Sequence, residues 1–487
     1  MTGAKGEVRA ILGRHHPAGW AVVVALVLVS LGPAAKWSTP GAQGYLWQAI
    51  VIAAALGLGA GLVTGSWRSR PSSDPGLLAA VVAGSGLLLL GWAAVSILWA
   101  GGQRPFALVT IALAGSTAAL GLLPAVATAG DGAWFRLVHD GAAAVVAASG
   151  VHALALTDQV GRVTLPIGAA STAHMPLLLA LAVLVTALVR GGGEPLAQMF
   201  RGLLVLVALT LLASGASRYG VVAASVLCLA VAVRVARTQP RRRWLAVAAG
   251  LGVAGILVTI AFVVRPGLTL ADGARSANHR AALGHLVSPP PQLLVGEGFG
   301  GLWPWLALET SPPGGLLPVT RETSEGALLW HPHSLYLGVV GELGLVGAAL
   351  LSTLVLAILA ACAIVWVRDD ALSPAALALA LTIPGMAFDL LLLRDYPGSL
   401  MWWLVAAAVL QHAGSSTPMP GLLGRAAART PFAPGVGQPD STPSPSAPPA
   451  PSPSPGQPGL DRAAQTGPGN NSAPSGFPGP TDGPRSR

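Results

Sequence analysis

The feature that most constrains this chain is its succession of long apolar stretches with almost no charge inside them. Segments such as 20–31, 77–90 and 345–367, with their neighbours, are long enough to cross a bilayer. One helical crossing takes about 20 mainly apolar residues. Of 487 residues, 53% are hydrophobic and only 10% charged, with a mean hydropathy of +0.65. A water-soluble fold of this length has nowhere to hide that much apolar surface. The runs are continuous, not alternating, which argues against a transmembrane β-barrel. The expected fold class is an all-α polytopic membrane protein.

Length and polarity place about twelve spans. They fall near 19–35, 45–65, 77–99, 105–128, 137–156, 174–190, 201–216, 220–236, 244–264, 338–366, 373–392 and 398–412. Residues 201–236 can be read two ways: as two spans divided around Ser217-Arg218-Tyr219, or as one long tilted span with a break. Basic residues then set the sides. From an inside N-terminus, the inner loops hold Arg68 and Arg70, Arg136, Arg190 and Arg201, the run from Arg234 to Arg243, and Arg368. The outer loops are poor in Lys and Arg, so both termini are expected to be cytoplasmic. The long loop 265–333, between the ninth and tenth spans, is expected outside. The net charge of +9 is read as this topology signal and not as nucleic-acid binding.

The N-terminus has the outline of a signal peptide: Lys5, Arg9 and Arg14, an apolar run, then Gly32-Pro33-Ala34-Ala35. Because many spans follow, it is read as an uncleaved first span of the cytoplasmic membrane. Cys228 and Cys362 both fall in apolar spans and are read as packing residues. The membrane domain is expected over 1–412. Residues 413–487 are rich in Pro, Ser, Gly and Ala, a composition that builds no packed core. They are expected to form a disordered cytoplasmic tail.

The candidate chemistry sits at the end of the long loop, in Trp330-His331-Pro332-His333-Ser334-Leu335-Tyr336-Leu337. Histidine is the side chain that trades protons near neutral pH. Ser334 is placed to cap the helix that follows, and a helix start favours anions. Earlier in the loop, residues 278–286 are expected to form a short helix on the membrane surface, stopped by Pro289-Pro290-Pro291. Gly296-x-Gly298-x-Gly300 resembles a dinucleotide fingerprint only superficially, since no strand–helix unit surrounds it; it is read as a tight turn. Gly338, Gly341, Gly344 and Gly347 recur every third residue and are expected to admit a neighbouring helix.

Arg218 is an anomaly among apolar spans. It is either a snorkelling arginine or a fixed charge lining a cavity at the outer interface. Arg280 is either a solvated loop charge or a partner to Arg218, and two guanidinium forks suit a diphosphate. Glu342 needs a partner inside its span, in a structural or a chemical role. Asp389 lies close to Arg394 and Asp395, which favours a local ion pair over a carboxylate lining the site. His331-x-His333 lacks the clustered Cys or His that would complete a metal site, so no metal or cofactor is expected.

In this order, Ser217-Arg218, the Arg280 segment, Gly296-x-Gly298-Phe299-Gly300, His333-Ser334-x-Tyr336-Leu337 and Glu342-Leu343-Gly344-x-x-Gly347 resemble the O-antigen ligase and O-antigen polymerase family of membrane glycosyltransferases. The resemblance covers residues 160–400 in architecture and 217–347 in specific residues. It implies a GT-C-like arrangement of about twelve spans with an extracytoplasmic loop over the active site. It also implies transfer of a glycan from an undecaprenyl-diphosphate carrier to a glycan, lipid or protein acceptor, without nucleotide sugar, metal or cofactor. Arg218 and Arg280 would bind the donor diphosphate. His333 would act as general base with His331 auxiliary, and Tyr336, Glu342 and Asp389 are candidate supporting residues. Two departures stand out. Pro332 separates the histidines, and no asparagine stands at 170–174, before the sixth span. The competing class is a transporter or flippase for a polar or lipid-linked solute, with Arg218, Glu342 and Asp389 as pathway charges. A scaffold recruited through the tail is the third.

Overall fold

Apolar runs that cannot face water must close their backbone hydrogen bonds internally, and in this chain they do so as helices. The computed structural model describes residues 76–101, 104–127, 133–155, 165, 172–191, 195–215, 217–265, 273–286, 290–303, 322–323, 326–327, 332–368, 371–394 and 396–414. The first two expected spans, 19–35 and 45–65, lie outside them, as does the tail from 415. By contacts the chain divides into two units, Met1–Thr430 and Pro431–Arg487; the described residues all belong to the first.

The helices are α1 (Leu77–Ser96), α2 (Arg104–Ala127), α3 (Ala133–Ala155), α4 (His174–Arg190), α5 (Pro195–Ser214), α6 (Arg218–Thr238) and α7 (Arg243–Val264). Two shorter ones follow within the long loop, α8 (Gly273–Leu286) and α9 (Pro290–Val295). The last three are α10 (Leu335–Val367), α11 (Ser373–Gly385) and α12 (Tyr396–Gly414). A two-residue hairpin pairs Glu322–Thr323 with Gly326–Ala327. Each expected span from the third to the twelfth falls on one helix. Among the described residues, six helices are long and apolar enough to cross a membrane by length and composition, namely α1, α3, α5, α6, the stretch Pro240–Val264 containing α7, and α10.

Burial separates two kinds of helix. α4 is apolar all round and buried from His174 to Leu184, and α12 is buried from Gly398 to Leu410. These form the centre of the bundle. α5 and α7 instead expose Leu203, Leu206, Leu251, Ile256 and Phe262. Helices whose free faces stay this apolar suit lipid and not water. α6 and α7 pack closely: a Cβ on Gly250 would lie 2.5 Å from the Cβ of Ala232, the small-residue contact common between helices in membranes.

Residues 201–236 are two helices. α5 ends at Ser214, and Ser217 starts α6 with an extended backbone and its hydroxyl accepting from Gly220 N at 3.4 Å. The eleventh span, expected over 373–392, is shorter. α11 ends at Gly385, just past Pro384, and the chain turns through 386–394.

α10 departs most from a regular span. Gly344 has φ +65°, ψ −165°, which breaks the helix into a short piece before it and a long one after. A break leaves the preceding carbonyls without their helical donors, an expensive state in a membrane. Here each receives another donor. Gly341 O accepts from Glu297 N at 3.0 Å and Glu342 O from Gly298 N at 2.9 Å. Leu343 O accepts from the Trp92 indole at 2.9 Å. The turn 296–301 is thus the cap of a broken helix. It has left-handed backbone at Gly296, Gly298 and Gly300. A Cβ on Gly298 would fall 2.5 Å from Ser96 O, and one on Gly344 would fall 2.3 Å from Leu294 O. The tight turn is present, and what it approaches is the protein's own backbone. The glycine stripe of α10, expected to admit a neighbouring helix, admits the end of the short α9 and the start of this turn at Gly344, and the side chain of Leu302 at Gly341.

Candidate functional site

Two helix starts meet one helix end. At the start of α10, the Ser334 hydroxyl accepts from Leu337 N at 3.4 Å, the cap expected of it. Leu335 N donates to the carbonyls of Met386 and Asp389, each at 2.8 Å. The Tyr336 hydroxyl donates to Ile383 O at 2.7 Å. At the start of α6, the Tyr219 hydroxyl donates to Leu381 O, and its ring lies 6.0 Å from Phe388. α11 therefore ends early because its last carbonyls, and those of the turn after it, take donors from α6 and α10. Arg218 and His333, each flanking one of these anchors, stand at the same end of the bundle.

His333 is half-buried, with φ +50°. A non-glycine residue takes up left-handed backbone at a cost of about 1–3 kcal/mol, which persists only where the surroundings impose it. Here the buried Pro332 and the anchored Ser334 and Leu335 impose it. Arg218 is half-buried in the first turn of α6. The same end is reached by α8, which buries Ala277 and Ala282 against Leu302 and Trp303, with Leu337 of α10 packed alongside. α8 thus lies on the bundle, and it begins earlier than expected, at Gly273. Arg280 is exposed on it. α8 ends at Leu286, before the prolines expected to stop it, and Pro290 starts α9, where a proline suits the first turn. His331 lies outside the described residues.

Glu342 has its partner. Arg394 Nη2 reaches both of its carboxylate oxygens, at 2.8 and 2.9 Å, and both side chains are largely buried. Glu342 Oε1 also accepts from Trp303 N at 3.0 Å, and the Arg394 guanidinium sits 5.7 Å from the Phe299 ring centre. Arg394 is thereby engaged across the bundle, whereas the sequence favoured a local pair with Asp389. Asp389 is fully buried, and its Oδ1 accepts from Leu390 N at 2.7 Å. The cleft lined by Phe299, Trp303, Pro332, Gly338, Glu342 and Arg394 has room for about one water molecule.

One residue of this region was not singled out from sequence. His174 opens α4 where the asparagine was sought, is 4% exposed, and lies edge-on to Tyr219 at 5.8 Å. Its closeness to α6 is set by Gly220, where a Cβ would come 2.6 Å from the His174 Cβ. The available signal was a histidine heading an otherwise apolar span.

The end of α11 thus has the imidazole of His333, the half-buried guanidinium of Arg218 and the buried carboxylate of Asp389 on segments bonded to it or following it, while Arg280 is exposed on α8, which packs against Leu302, Trp303 and Leu337. Such a set can accept a proton and bind a polyanion. Compared with protein-family models the chain matches none, and no curated protein is similar to it in sequence.

Proposed function

We propose that this chain is a glycosyltransferase of the O-antigen ligase and polymerase type. It would move a glycan from an undecaprenyl-diphosphate carrier to an acceptor hydroxyl at the outer face of the cytoplasmic membrane. One observation carries the reading: Arg218 and His333, 115 positions apart in the chain, flank side chains that bond the same end of α11.

The chemistry follows from those groups. His333 removes the proton of the acceptor hydroxyl as its oxygen attacks the anomeric carbon. A group within hydrogen-bond reach contributes typically about 10²–10⁴-fold this way. The bond from that carbon to the diphosphate oxygen breaks, and undecaprenyl diphosphate leaves with the electron pair. Arg218 and Arg280 stabilise its charge, which is where fixed cations do most. No nucleotide sugar, metal or cofactor has a step in this scheme. Direct displacement inverts the anomeric centre. The acceptor, whether glycan, lipid or protein, sets ligase apart from polymerase.

Glu342 and Arg394 weigh against the transporter or flippase reading, because they are committed to one another instead of standing along a path. The deciding experiment incubates purified protein with lipid-diphosphate glycan and candidate acceptors, followed by mass analysis. Glycan transfer that is absent from His333→Ala is the expected result. Solute counterflow in sealed vesicles, unaffected by the same substitution, would replace this reading with transport.

A further inference from the structure

The Glu342–Arg394 pair stands apart from the residues given a chemical role, yet it is buried and bonded to a third segment as well as to itself. It joins three separate stretches of chain. Glu342 belongs to the short first piece of α10. Arg394 belongs to the turn after α11. Trp303, at the end of the glycine-rich turn, is held by both: its N–H donates to Glu342 Oε1 at 3.0 Å, and its carbonyl accepts from Arg394 Nη2 at 3.4 Å. Trp303 is fully buried. The turn is tied down at four further points, by Glu297 N to Gly341 O, Gly298 N to Glu342 O, Phe299 N to Ser96 Oγ and the Trp99 indole to Gly296 O.

The first piece of α10 is therefore clamped at both ends. Its start is fixed to the end of α11 by Leu335 N and the Tyr336 hydroxyl. Its end is fixed to the loop turn and to Arg394, and the break at Gly344 uncouples it from the long piece that follows. His333 directly precedes this rod. Packing alone would not need charges here; a buried ion pair seldom stabilises more than a well-packed apolar pair of similar volume. Its better-attested use is to fix one geometry among several. From this we infer that Glu342 and Arg394 are positioning residues. Their pair latches the 296–303 turn onto the bundle and, through the short rod, sets the placement of His333. The latch itself stands on geometry alone; only its consequence for transfer rests on the function proposed above.

Hydrogen–deuterium exchange on the full-length protein tests the latch without reference to activity. In the wild type, the amides of residues 297–303 are expected to exchange slowly, at rates comparable with those inside α10. In Glu342→Gln and Arg394→Met they should exchange at least about tenfold faster, as a locally opened segment does, while α4 and α12 keep their protection. The reversed pair, Glu342→Arg with Arg394→Glu, should recover most of the protection lost in either single reversal. Fast exchange of 297–303 in the wild type would overturn the proposal, and that measurement needs no variant to fold. Unchanged exchange in both single variants would overturn it equally. Transfer assays then separate the two claims. A positioning role predicts a fall in kcat with KM for the lipid donor little changed, recovered in part by Glu342→Asp. A latch that opens as described in a protein showing no transfer leaves the inference standing and removes the proposed function. Transfer rates untouched by an opened latch would remove the positioning role.

Discussion

At the scale of single residues, the left-handed backbone of His333 separates what its side chain does from what its conformation costs. His333→Ala and His333→Gly should both lose transfer by about 10²–10⁴-fold, since both remove the base. Their stabilities should differ. Glycine adopts φ +50° without penalty, and the alanine variant keeps the strain, a difference of about 1 kcal/mol. The glycine variant should therefore melt at the higher temperature in detergent; equal midpoints would mean the backbone relaxes in solution. Arg218 allows a second comparison. Arg218→Ala should abolish transfer, and Arg218→Lys should retain a small fraction, because an ammonium keeps the charge but not the bidentate fork. Full activity in either Arg218 variant would take that residue out of the site. The places of His333 and Arg218 at the starts of α10 and α6 were legible in the sequence because a polar side chain at the edge of an apolar run stands out. The partner of Glu342 was not, since Arg394 lies 52 positions away beside a nearer candidate, Asp389. Sequence proximity favoured the local pair, while the fold brings the distant guanidinium to the carboxylate.

At the scale of elements, the apolar runs announced the helices, but not the breaks within them. Ten expected spans fall on ten helices, because a continuous apolar run favours a helix that closes its own backbone hydrogen bonds, and six of them are long and apolar enough to cross a membrane. The shortening of α11 and the break in α10 depend on donors supplied from elsewhere in the chain. No local pattern records that Trp92 and the turn after α9 will serve the carbonyls of residues 341–343. The glycine stripe of α10 was visible, but not which helix it admits: at Gly344 the neighbour is the last turn of the short α9, met by its backbone where α10 breaks. This makes a sharp prediction. Gly344→Ala places a Cβ 2.3 Å from Leu294 O at φ +65°, so the turn must lift or the helix must straighten. Either outcome frees α8, and trypsin should cut faster at Arg275 and Arg280, with a lower melting midpoint. Gly284→Ala, whose Cβ meets open space, should change neither. Equal protease sensitivity in the two variants would show that the break does not hold the loop.

At the scale of the whole molecule, the proposed chemistry requires one more condition, that the assembled end of the bundle face away from the cytoplasm. The hydrogen bonds of Tyr219, Leu335 and Tyr336 join the starts of α6 and α10, beside Arg218 and His333, to the end of α11 and the turn after it. α6 carries the chain from that end to Arg241-Arg242-Arg243 at the other, where the turn Pro240–Arg242 joins it to α7. Those two ends cannot lie on the same side if α6 crosses the membrane. The positive-inside rule would put the arginine cluster on the cytoplasmic side, and the proposed transfer needs the other end to face away from it. Labelling decides it. With Cys228 and Cys362 replaced, Gly284→Cys should react with a membrane-impermeant maleimide in intact cells. Gln239→Cys should react only after permeabilisation. Gly284 is exposed with open space at its Cβ, so its reaction reports sidedness and not burial. The reverse pattern would put the imidazole and both guanidiniums on the cytoplasmic side and leave the proposed transfer without its acceptor. Reaction of both positions from outside would instead show that α6 does not span, and the shared end of α11 would then no longer imply a membrane face.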